Sequence, residues 1–106
     1  MSVNKVILVG HLGDDPEIKI IDKTEIATFR LATNRRYTKS DGQQVDEVEW
    51  HNVVSFNKKV IHYLEKGMQI YLDGYLTTKT WQDENQNKKY KTEIIINMIE
   101  ILTKKN

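Results

Sequence analysis

Two-residue alternation of apolar and polar side chains runs through most of this chain, and one stretch departs from it for a helical period. A strand sends successive side chains to opposite faces, so alternation marks a half-buried strand. In residues 26–38, IATFRLATNRRYT, Ala27, Phe29 and Leu31 share the core parity while Thr28 and Arg30 take the other. In residues 68–81, MQIYLDGYLTTKTW, the core parity holds Ile70, Leu72 and Leu76. The opposite parity is mostly polar and carries Tyr71, Asp73, Tyr75, Thr77, Lys79 and Trp81. Residues 3–13, VNKVILVGHLG, read as a long first strand in which Gly10 and Gly13 mark a bend or bulge. EIKII, residues 17–21, is a short strand candidate after the turn at Asp14-Asp15-Pro16. Residues 45–56, VDEVEWHNVVSF, return from a hairpin tip at Ser40-Asp41-Gly42, and residues 90–102, YKTEIIINMIEIL, form the last strand.

The departure is at residues 57–67. Asn57 is a good helix N-cap, Val60, Ile61 and Leu64 share a face at helical spacing, and Gly67 suits the residue after a helix. With the short EIKII candidate left out, the resulting order is three strands, one helix and two strands. It predicts an all-β fold: a five-stranded OB-fold barrel with one helix between strands 3 and 4 and long β-hairpin arms. An SH3-like barrel, by contrast, usually lacks the inserted helix. The chain has 106 residues and no repeat or linker, so one domain is expected over residues 1–106.

Composition removes several classes of chemistry. There is no cysteine, hence no disulfide, thiolate metal site or thiol nucleophile. His11, His51 and His62 are far apart, and no hydrolase, zinc-protease or phosphate-loop signature is present. A metal nuclease built on His11 with Asp14, Asp15 and Glu17 is the enzymatic alternative, but turns are acidic for local hydrogen-bonding reasons. The expectation is a protein that is not an enzyme, with no cofactor and no metal. The longest apolar runs, residues 6–9 and 94–96, are far short of a membrane span.

A formal net charge of +1 does not by itself argue for nucleic acid. The aromatics argue more. Trp50, Asn52, Val54 and Phe56 share a strand face, and Lys58-Lys59 follows at once. Either Trp50 and Phe56 are core, with Val53 and Ser55 facing out, or they lie along a binding surface. Trp81 tips the balance, because the core parity of its strand is already taken by leucine and it projects from the other side beside Lys79. Tyr37 sits beyond Arg35-Arg36 on a hairpin arm with no apolar company. Single-stranded nucleic acid asks for this mixture, since bases stack on flat aromatics at about 1–3 kcal/mol each and phosphates need Lys or Arg between them.

The blocks NKVILVGHLGDDPE (residues 4–17), TFRLAT (28–33), EWHNVV (49–54), YLEKGMQIYLDGYLTTKTW (63–81) and YKTEIIIN (90–97) closely resemble the bacterial-type single-stranded DNA-binding proteins. The resemblance covers nearly the whole chain in the family's order. It implies an OB-fold homotetramer that wraps single-stranded DNA and acts in DNA replication, recombination and repair. It implies base stacking at Trp50, Phe56 and Trp81. Tyr37 stands where the family usually has Trp, and of the basic residues before the second Trp only Lys79 remains. The nucleic-acid surface is therefore assigned to Trp50, Phe56, Trp81 and Tyr37, with Arg35, Arg36, Lys58 and Lys79. The subunit interface is assigned by resemblance to His51, Gln69, Tyr71 and the segment of Val3, Lys5 and Ile7.

The resemblance places the protein in the cytoplasm with the nucleoid, the alternative being an organellar matrix, and not in a membrane. The family usually continues into a flexible tail with an acidic tip that recruits replication and repair proteins. This sequence stops at Thr103-Lys104-Lys105-Asn106, so such partners are expected only where a longer form carries the tail. Two other readings fit the same fold: a primosome-type accessory dimer, and an OB-fold module that binds protein.

Overall fold

In the computed structural model, which describes residues 1–103, the alternating segments form six strands. They are β1 (Val6–Leu12), β2 (Glu17–Ile21), β3 (Thr24–Thr38), β4 (Gln44–Ser55), β5 (Gln69–Gln82) and β6 (Lys88–Ile101). The terminal Lys104 and Lys105 lie outside the described residues. β1 pairs antiparallel with β5 from Val6↔Gly74 to His11↔Gln69, and then with β3 at His11↔Ala32 and Leu12↔Leu31. That double use closes the ring β1–β5–β6–β4–β3. Its last joint is a short parallel contact between β4 and β6, Val53↔Ile94 and Val54↔Ile95. The result is the expected five-stranded OB-fold barrel, with β2 hung on β3 outside the ring.

The bend expected at a glycine is real. A Cβ on Gly10 would come 2.3 Å from the Ala32 carbonyl oxygen, so a side chain there would block the approach of β1 to β3. Both expected arms are present as well. β3 and β4 stay paired out to Thr38↔Gln44, and β5 and β6 out to Gln82↔Lys88. The barrel interior holds Leu12, Phe29, Leu31, Val53, Ile70 and Leu72, closed from the β6 side by Ile94 and Ile96.

The expected helix between the third and fourth barrel strands is not formed. Residues 58–63 make turns. Asn57 does cap them: its carbonyl accepts from Val60 and Ile61 N–H and its Oδ1 accepts from Lys59 N–H. The helix stops there because later donors are used elsewhere. Lys66 N–H donates to Asp15 Oδ1 and Gly67 N–H to the Leu12 carbonyl, while Met68 accepts from Leu12 N–H. Ile61 and Leu64, 1% and 6% exposed, are sunk in the protein interior instead of lying along a helix face. Short helices are marginal without such packing, and here packing and competing hydrogen bonds favour an irregular plug. Gly67 keeps its left-handed conformation at φ 91°.

Two parity readings and one strand boundary also change. Leu76 is 46% exposed and not core: it lies past the β5–β6 register shift at Asp73/Gly74 and lines the rim of a cleft with Trp50 and Ile94. Val53 and Ser55 are buried, which removes the reading that they face out. β1 begins at Val6, so Val3 and Lys5 precede the strand. Between them the Asn4 side chain donates to the Leu76 carbonyl and accepts from Leu76 N–H, both at 2.9 Å, in place of a backbone pair. Among the described residues no helix is long and apolar enough to cross a membrane.

Ile61→Ala should destabilise the fold by about 2–5 kcal/mol, the usual cost of a cavity at a fully buried site. The shift in urea midpoint measures it. A loss under about 0.5 kcal/mol, the level of a surface substitution, would mean that the connector does not plug the barrel.

Candidate nucleic-acid interface

Trp50 sits at Ala32 in the β3–β4 register, with Arg30 opposite Asn52 on the same face. The Arg30 guanidinium lies 4.8 Å from the Trp50 ring centroid. It is held there by Asp14, at 2.8 Å from Nε and 3.1 Å from Nη2. The edge of the ring rests where a Gly13 Cβ would be, 2.2 Å from Cζ3. Glycine at 13 and a clamped arginine therefore fix the ring, yet Trp50 stays 49% exposed. The hydrogen bond from Arg30 holds the Asp14 carboxyl below the usual carboxylate range.

Phe56 and Trp81 meet at one cleft of about 580 Å³, although they come from β4's end and the β5 arm. They are 45% and 48% exposed. Lys19, Lys79 and Lys91 line the same cleft, together with Glu17, Glu93 and the buried Val54. A second cleft of about 390 Å³ joins Trp50 to Tyr90, Lys91 and Asn52. Between them, a pocket of about 290 Å³ shares Asn52 and Lys91 with the first tryptophan's cleft and Glu17, Thr28, Lys91 and Glu93 with the other. The surface from Trp50 to Trp81 is thus continuous.

Of the residues assigned in sequence, Phe56, Trp81 and Lys79 share one cleft and Trp50 lines the other. Lys58 is exposed two residues after Phe56, outside the lining of its cleft. Arg35, Arg36 and Tyr37 stand on the β3–β4 arm, away from it. Arg36 pairs with Asp46 at 2.7 Å, and Arg35 lies 4.6 Å over the Tyr37 ring. The Tyr37 hydroxyl donates to Glu47 Oε1 at 2.8 Å, which pushes its pKa up. The acidic residues of the enzymatic alternative are engaged in structure: Asp14 by Arg30 and Asp15 by Lys66 N–H.

Sequence reasoning did not assign Lys19, Arg30, Asn52 or Lys91 to the surface. Asn52 was legible, since it shares the parity of Trp50. Lys91 stands opposite Lys79 in the β5–β6 register, a pairing that needs the register itself. Lys19 carried no signal, because β2 lies outside the barrel.

The residues assigned to a subunit interface divide. Gln69 and Tyr71 are half-buried on β5. Tyr71 lies between Val9 and Glu100, and the next pair along places Asp73 between Ile7 and Met98. Ile7, Val9 and Met98 are about half exposed, on an open sheet face that they share with Asp73 and Glu100. Val3 and Lys5 are exposed ahead of β1. His51 is elsewhere: its Nε2 is 2.8 Å from Thr33 Oγ1, and it lines the Trp50 cleft.

Residues 3–102 match the model of the single-strand binding protein family. The chain belongs to that family. A Bacteroides thetaiotaomicron protein named single-stranded DNA-binding protein is 43% identical over 111 residues, covering 99% of this chain and 69% of that protein. One of the same name from Rhizobium meliloti is 43% identical over 101 residues, 90% of this chain and 58% of that protein. A Plasmodium falciparum SSB solved in complex with ssDNA superposes with a TM-score of 0.89 at 32% identity, covering 97% of both chains. The fold is also that of a Thermus aquaticus single-stranded DNA binding protein, with a TM-score of 0.81 at 24% identity over 95% of this chain and 51% of that one.

Asp14 gives a pH test of the Trp50 clamp. A depressed carboxyl pKa contributes stability above the ordinary value of 3.8, and this support is lost as pH falls through the folded value below it. In a Trp81→Phe background, Trp50 emission should change in that acid range while the protein stays folded. Asp14→Asn should show the acid form's emission at neutral pH. Identical emission in the two proteins at pH 7 would mean that Asp14 does not hold the clamp.

Proposed function

We propose that this chain binds single-stranded DNA with little regard to sequence, holding bases by stacking and phosphates by lysine, in support of DNA replication, recombination and repair. The observation that carries the reading is the continuous surface on which half-exposed Trp50, Phe56 and Trp81 alternate with Lys19, Lys79 and Lys91. Exposed rings of this size on a soluble barrel are costly to leave in water unless a partner covers them. Bases fit them, and the interleaved ammoniums fit the backbone between bases. Binding of this kind breaks no bond, so the role is that of a binder and not of an enzyme. The arm residues Tyr37, Arg35 and Arg36 extend the path for a strand that continues past Trp50, with Tyr37 stacking in place of a tryptophan, and Lys58 adds charge near Phe56.

Assembly into a homotetramer is part of the same proposal. Ile7, Val9, Tyr71 and Met98 put apolar surface on an open sheet face, with Asp73 and Glu100 among them. The β1 edge from Val6 to Gly10, opposite its β5 partner, is available for strand addition next to Val3 and Lys5. Gln69 borders that face. His51 joins the interface on the strength of the resemblance alone. Recruitment of replication and repair enzymes is assigned to a tail in any longer form. The place of action is where single strands arise, with the nucleoid.

A titration with poly(dT) tests the core of this reading. Tryptophan emission should quench on binding. Trp81→Ala should weaken affinity by about 1–3 kcal/mol, roughly 5- to 150-fold, with little change in melting temperature. Absence of quenching by the folded wild-type protein would sink the proposal. A large loss of stability with intact affinity would return Trp81 to the role of a packing residue.

A further inference from the structure

Glu93 takes no part in the reading above, yet it lies inside the surface that reading uses. Its residue is 5% exposed, and it lines both the cleft of Phe56 and Trp81 and the pocket that leads toward Trp50. Its Oε1 is 3.1 Å from Lys79 Nζ, and its Oε2 is 3.9 Å from Lys91 Nζ. Oε1 is nonetheless buried without a well-directed hydrogen bond. The two lysines face each other directly across β5 and β6, with Glu93 one same-face step away, opposite Thr77. Like charges directly opposite on a sheet repel. A fixed carboxylate therefore sits beneath two facing ammoniums whose side chains are 66% and 49% exposed.

We propose that Glu93 is a built-in counter-charge that sets how firmly Lys79 and Lys91 hold a phosphodiester group of the bound strand. The proposal rests on the single-strand reading. Three charged groups at this point of the groove sum to one positive charge, not two. A phosphate reaching the lysines shares them with a carboxylate that is already there. Burial keeps Glu93 from swinging aside, whereas the long lysine side chains remain free to reach outward. Glu93 is thus a positioning residue, acting on the strand through the lysines. Without its charge, the repulsion between Lys79 and Lys91 persists in the free protein and is relieved only when a phosphate arrives.

Glu93→Gln keeps the shape and removes the charge. With a dT oligonucleotide at a series of salt concentrations, the variant should bind several-fold more tightly than wild type at low salt. Its plot of log affinity against log salt should be steeper by about 0.7, the increment for one further phosphate neutralised on a single strand. The gain should shrink as salt rises. Replacing Lys79 and Lys91 by Gln in the Glu93→Gln protein should abolish it. A purely structural Glu93 would lower the melting temperature and leave the slope alone. An unchanged or shallower slope in the folded variant overturns the proposal, as does a steeper slope that survives loss of both lysines. If Glu93→Gln does not fold, Glu93→Asp decides: drawing the carboxylate back should tighten binding, and equal or weaker binding overturns it. Failure of the wild-type arm to bind dT at all would instead defeat the single-strand reading.

Discussion

Pairing of β1 on both of its edges is the constraint from which the other features follow. Seven residues serve β5 and then β3, and the ring closes only because of that exchange. Closure satisfies backbone groups that an open sheet would leave at its edges. It also limits how far the long strands can stay in the barrel. β3, β4, β5 and β6 are each twelve or more residues long, so they overrun the ring and pair with one another outside it. The arms are the surplus of strands too long for their barrel. Trp81 is exposed and Tyr37 only half-buried because they ride on that surplus.

Alternation made the strands and both hairpins legible, since a strand's facing pattern is local. What it did not carry was the position along each strand where the barrel ends. Leu76 has the parity of Leu72 but lies past the shift at Asp73/Gly74, at an open cleft beside Trp50 and not in the sealed interior. The missing helix has a similar cause. Asn57, Val60, Ile61, Leu64 and Gly67 have helical spacing, and the cap and the left-handed glycine both form. Between them the backbone is bid for by Asp15 and Leu12, whose proximity depends on the closed ring and is invisible in a window of ten residues.

The aromatics of the site were legible for the opposite reason. An exposed tryptophan on a polar parity violates the local preference for burial, so it announces itself. The groups that arrange those rings do not. Gly13 reads as a bend marker, and Arg30 and Asp14 read as ordinary surface charge. Only the register places Arg30 beside Trp50 and Lys91 across from Lys79. The resemblance located Trp50, Phe56 and Trp81 without explaining why they meet. The folded chain supplies the reason: β4 and the β5 arm converge where β6 crosses from one to the other.

A chain with a formal net charge of +1 is an unpromising ligand for a polyanion. Cations in the groove are moreover engaged by carboxylates, Arg30 by Asp14, Lys19 by Glu17 and Lys79 by Glu93. This arrangement suits discrimination. A duplex offers dense phosphate charge but keeps its base faces stacked inside, while a single strand offers fewer phosphates per length and bare base faces. A strongly basic groove would hold both and favour the duplex for its charge density. A groove with muted charge and three half-exposed rings gives the duplex little to bind. The stacking contribution, about 1–3 kcal/mol per base, is open only to a strand whose bases are unpaired. Restraint in charge is thus itself a means of choosing the single strand.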